Sequence, residues 1–155
     1  MRPLVVFVAL VAGSAHADVS APALAPPNDR IIIVEAQAAA RCRPGKYFTP
    51  SAVDVARIDA RVPERLREIA KEQSYLGGRA RDVLSLLPRS KRFYTGELEN
   101  NERVVAIDGV CEHIPDFFAG SRCAPEVADG GACFWHLRFD LKRRTFVFFA
   151  TNGEA

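Results

Sequence analysis

Past its first residues, the sequence offers few side chains for chemistry: His113, His136, four cysteines and scattered acids. His113 has Glu112 and Asp116 beside it, a set able to seed a metal or acid–base site, but three polar residues at the mouth of a loop are more often solvent-facing. His136 alternates with Arg138 and Asp140 on the strand face opposite Trp135, where polar side chains pairing across neighbouring strands are the ordinary explanation. Cys42, Cys111, Cys123 and Cys133 contain no CxxC pair, so a zinc site lacks its usual spacing. In "EVADGGA" only Glu126 and Asp129 are available as oxygen ligands, too few for calcium, and Gly130-Gly131 reads as a turn or bulge that launches a strand. No Ser/His/Asp spacing, phosphate loop or HExxH occurs. The expectation is a chain with no catalytic residue, no metal and no cofactor.

The compartment is more legible than the chemistry. Met1-Arg2 forms a short positive start, Leu4 to Ala12 an apolar run too short to span a bilayer, and Ala15-His16-Ala17 an A-x-A cleavage site. Residues 1–17 therefore read as a signal peptide, residues 18–29 ("DVSAPALAPPND") as a flexible Ala/Pro-rich leader, and residues 30–155 as a single domain. This points to a periplasmic or secreted protein with no membrane insertion after cleavage. A formal net charge of +2 gives no reason to expect nucleic acid as a partner. Export to an oxidising space favours two disulfides over free thiols.

The elements that must hold these residues follow from periodicity. "RIIIVEAQAAARC" is ambiguous between a short strand and a helical turn. A helix starts near residue 50, with Thr49 as a possible cap, Pro50 at the first position and Ser51-x-x-Asp54 resembling a capping box. Val55, Ile58, Val62, Leu66 and Ile69 share one face of it, and Pro63 is expected to kink or split it. Gly77-Gly78 ends that region, with room for a short helix over residues 81–87. From Lys91 the period becomes two, giving four strands in "KRFYTGEL", "ERVVAIDGVCE", "ACFWHLRFDL" and "TFVFFAT". Successive antiparallel pairing yields an α+β domain with helices packed on one face of a four-stranded antiparallel sheet. Cys111 ends one strand and Cys133 begins its neighbour, which pairs them and leaves Cys42 for Cys123. Asn152-Gly153, with only two residues after it, reads as a strand terminator bent by positive φ.

"PGKYFTPSAVDVARIDARVP", followed by "GVCEHIP", "DGGACFWHLRFDLKRRTF" and "NGEA", resembles a group of small uncharacterised secreted bacterial proteins, over roughly residues 44–155. Their helix opens with a Thr-Pro-Ser-like cap, and their end runs through Asp-Gly-Gly, a Phe-Trp strand, Thr-x-Phe and Asn-Gly-x-Ala. The resemblance implies an exported domain of this layout and no particular activity.

Apolar residues also exceed what one core needs. On the sheet face away from the helix, Phe134, Val147 and Phe149 line up with Ala106 and Val110, and the loop after the second strand adds Ile114, Phe117 and Phe118. Together with His136 and Arg138 they form a candidate partner-binding surface, unless the loop or the Ile31 to Val34 segment folds over it. The function expected is a non-enzymatic module binding another protein, of inhibitor, immunity or envelope-interaction type. The alternative is a small-ligand carrier or enzyme with its site between helix and sheet.

Overall fold

The computed structural model describes residues 29–112, 127 and 129–153, and the fold is α+β. The signal peptide, nearly all of the leader, His113 and the 113–126 loop fall outside the described residues. The order is β1 (Ile31–Val34), α1 (Ala36–Cys42), β2 (Tyr47–Phe48), α2 (Ala52–Ala70), α3 (Tyr75–Leu86), β3 (Ser90–Glu99), β4 (Glu102–Cys111), β5 (Phe134–Asp140) and β6 (Thr145–Thr151). The expected four-stranded antiparallel sheet is corrected to a six-stranded mixed one. β3 to β6 pair antiparallel in sequence order, while β1, parallel, and β2, antiparallel, share the far edge of β3. The ambiguous segment is both things in turn: its β-branched run pairs with β3, and its alanines form α1.

The helix face is the larger core. α2 lays Val55, Ile58, Val62, Leu66 and Ile69 against Tyr94, Val105, Ile107, Trp135 and Leu137, all nearly inaccessible to water. Ser51 is the N-cap of α2, its hydroxyl accepting from the Asp54 amide at 3.1 Å. Thr49 serves a different helix, its hydroxyl accepting from the Ala36 amide at the start of α1. Pro63 lies inside α2 without splitting it, since five buried residues on one stripe hold both halves to the sheet. Gly77 and Gly78 do not end the helical region; they sit in the first turn of α3, capped by Ser74. Gly109 lies opposite Trp135 in the β4–β5 register, and a Cβ added there would come within 1.9 Å of the indole. The large side chain fits because its neighbour has none.

Turns and cross-links fix the register. Asn100 and Asn101 take φ of 48° and 65°, the left-handed pair favoured by two-residue hairpins. The Asp140 carboxylate accepts from the Lys142 and Arg143 amides, both at 2.8 Å, shaping the turn into β6. Cys111 and Cys133 form a disulfide with their Cα atoms 4.9 Å apart. No cysteine among the described residues is free, Cys42 included, while Cys123 lies outside them.

Asn152-Gly153 ends β6 without the left-handed turn expected of it. The positive-φ positions among the described residues include Gly45, Asn100, Asn101, Gly131 and Arg144, with neither Asn152 nor Gly153 among them. Gly153 instead bridges to Asp129, and its carbonyl accepts from the amides of Gly130 and Gly131. The carbonyl of Phe134 accepts from the Asn152 amide. The chain end is thus docked on the turn that launches β5.

Candidate protein-binding face

The second face of the sheet divides into a covered and an open part. α1 folds over one end and, with Val34, Ala38 and Ala39, buries Phe93, Val110 and Phe134 in a smaller core. The helices are therefore on both faces. Phe134, 5% exposed, is unavailable to a partner because α1 lies on it.

Beyond α1 the face is ionic. His136 stands opposite Asp108 across β4 and β5, with Nδ1 2.6 Å from Asp108 Oδ1. Its Nε2 is 2.9 Å from Asn152 Oδ1. The Asn152 amide nitrogen donates to the Val127 carbonyl, which turns its oxygen towards the histidine. Both ring nitrogens thus face acceptors, an arrangement that suits imidazolium. The pKa of His136 is accordingly raised, first by the Asp108 hydrogen bond, against the opposing effects of burial and of the Arg43 charge.

Charge continues along the row. Arg43, just past α1, pairs with Glu97 at 2.8 Å, and Arg138 pairs with both Glu97 and Glu99. Burial opposes the Arg43 charge, but Asp108 and Glu97 outweigh it and raise its pKa. Asp108 Oδ2 is buried and accepts no hydrogen bond among the described residues. An Asp–His pair is the orienting half of a catalytic triad, but here the second nitrogen meets an amide oxygen in place of a hydroxyl or thiol. The arrangement holds β4, β5 and the chain end together, with no ring nitrogen left to act as a base. Among the described residues no group of His, Cys, Asp or Glu is placed to hold a metal ion.

Among the described residues β6 is the last strand of the sheet, paired on one side only. Its pairing with β5 slips between Arg138 and Phe139: Phe148 faces Arg138 and Phe146 faces Phe139, leaving Val147 as the extra residue of a bulge. This bulge corrects the expected alternation. Phe149 falls on the helix face, 9% exposed, packed with Phe146, Phe139 and Leu137. Val147 and its neighbour Phe148 are left 49% and 47% exposed.

Of the residues expected to meet a partner, His136 and Arg138 are half-buried on the open part of the face and Val147 is exposed beside them. Phe134 and Phe149 belong to the two cores, and Ile114, Phe117 and Phe118 lie outside the described residues. Phe148 and Arg43 are the additions: a strict two-residue period places Phe148 inward, and nothing local links Arg43 to the sheet. Among the described residues no helix is long and apolar enough to cross a membrane. No family model, no curated protein and no solved structure matches this chain.

Proposed function

We propose that the chain is an exported, non-enzymatic protein-binding module whose partner adds a strand to β6. The observation that carries this reading is the pair Val147 and Phe148, adjacent, half-exposed and apolar, on a strand with only one neighbour among the described residues. An edge strand presents unpaired backbone groups, and soluble proteins ordinarily blunt such edges with lysine, proline or a covering element. The stretch Thr145–Thr151 contains neither lysine nor proline, and the one such device in it is the bulge at Val147, which leaves Phe148–Thr151 in regular pairing with β5. Strand addition supplies affinity through main-chain hydrogen bonds and specificity through alternate side chains. Here Phe148 is the aromatic anchor, and Arg138 opposite it, held by Glu97 and Glu99, is the charged neighbour. The Cys111–Cys133 disulfide accords with an oxidising compartment.

The test is affinity capture from an extract of the cells that make the protein, run in parallel with a Val147→Lys/Phe148→Glu variant. The reading expects a protein held in stoichiometric amount by the natural sequence and lost from the variant while the fold is retained. Capture that is indifferent to the two substitutions contradicts it.

A further inference from the structure

On the other side of the molecule, α2, α3, the turn after α3 and β3 enclose a cleft of about 320 Å³. That is near the lower end for small-ligand sites, roughly 300–1,000 Å³. Its walls are apolar: Val62 from α2, Leu84 from α3, and Leu87 and Pro88 from the turn. Three charged residues reach it, Asp59, Arg67 and Arg92.

Asp59 is already neutralised from within. Arg92 Nε donates to its Oδ1 at 2.6 Å, Arg92 Nη2 reaches Oδ2 at 3.4 Å, and the Tyr94 hydroxyl donates to Oδ1 at 2.5 Å. Arg92 Nη1 spends its hydrogens on the carbonyls of Leu87 and Ser90. One N–H of Arg92 Nη2 remains, and the Arg67 guanidinium has no hydrogen-bond or ion-pair partner among the described residues. One carboxylate against two guanidiniums leaves the cleft net positive, with uncommitted donors among otherwise aliphatic lining residues.

We propose that this cleft binds a small organic anion with an aliphatic body. Its carboxylate rests on Arg67 and the spare Arg92 N–H, and its chain lies against Val62, Leu84, Leu87 and Pro88. A guanidinium matches a carboxylate with two parallel donors, so the charge fixes the orientation and the walls take the chain. A compact inorganic anion leaves those walls wet, and an amine meets like charge. The site is separate from β6, so the protein-binding proposal stands or falls independently of it.

Isothermal titration calorimetry on the full chain, disulfides intact, provides the test with octanoate, octanol, octylamine and acetate as probes. The expected result is saturable one-to-one binding of octanoate, weaker binding of octanol, and none of octylamine or acetate. Arg67→Ala removes an exposed side chain, so it should leave thermal stability unchanged and weaken octanoate by about tenfold or more. Leu84→Trp should fill the cleft and abolish binding with the charge still present. Failure of octanoate to bind, equal binding of octylamine, or octanoate affinity unchanged in Arg67→Ala overturns the proposal.

Discussion

The helix face and the open part of the opposite face are made by alternate residues of the same strands, and they hold the sheet in different ways. On the helix face Trp135, Leu137, Val105 and Ile107 are sealed from water, and the charges of that face are the Asp59–Arg92 pair and the Arg61 guanidinium over the Phe139 and Phe146 rings. One residue along in each strand, Asp108, His136 and Arg138 make a partly hydrated ionic row whose members each depend on one geometry. Apolar burial is non-directional, but a one-residue slip turns the whole buried set to the other face and removes Gly109 from opposite Trp135, while the ionic row adds a directional requirement, Asp108 opposite His136. The first face supplies most of the stability. The second adds a directional check on the same register and, among the described residues, leaves β6 with one neighbour.

The sharpest way to break this comparison uses two neighbours in β6. Phe149→Glu puts a carboxylate into the helix-face core and should cost about 3–5 kcal/mol or prevent folding, read as lost melting temperature. A small loss there would mean that the bulge does not turn Phe149 inward. Next in size, replacing Cys111 and Cys133 together by alanine should cost about 3 kcal/mol by freeing the chain between them when unfolded. Denaturant titration with an unchanged stability would show that the strand pairing alone fixes this end of the sheet.

His136 gives a smaller, pH-dependent effect of definite sign. Its folded pKa lies above the ordinary value, so its stabilisation is present below about pH 6.5 and is lost as pH rises through the folded value. The margin of the natural protein over His136→Gln should therefore be on the order of 1 kcal/mol in mild acid and shrink in alkali. Thermal melts showing the same margin at both ends of that range would mean that His136 is neutral in the fold. Smallest of all, Phe148→Glu should change stability by less than about 0.5 kcal/mol, because the ring is already half in water.

Much of the helix face was legible because it rests on periodicity. The stripe from Val55 to Ile69 and the alternation from Trp135 to Phe139 each bury what they should. The ionic row was partly legible too. The Cys111–Cys133 link sets the β4–β5 register, and three residues inward along both strands stand Asp108 and His136. What local pattern could not yield was anything made by a one-residue slip or a distant segment. The bulge at Val147 exchanged the roles of Phe148 and Phe149, and α1 came from the start of the domain to cover Phe134. Parallel pairing of β1 with β3 depends on contacts more than fifty residues apart along the chain, which a window reading does not reach.

The most direct test of strand addition at β6 is amide hydrogen exchange, followed residue by residue on the chain alone and on its captured complex. The outward amides of Thr145–Thr151 should exchange readily in the free protein and slow markedly in the complex, while those of β3 and β4 stay unchanged. A complex in which β6 gains no protection, with the protected amides elsewhere, would contradict the account.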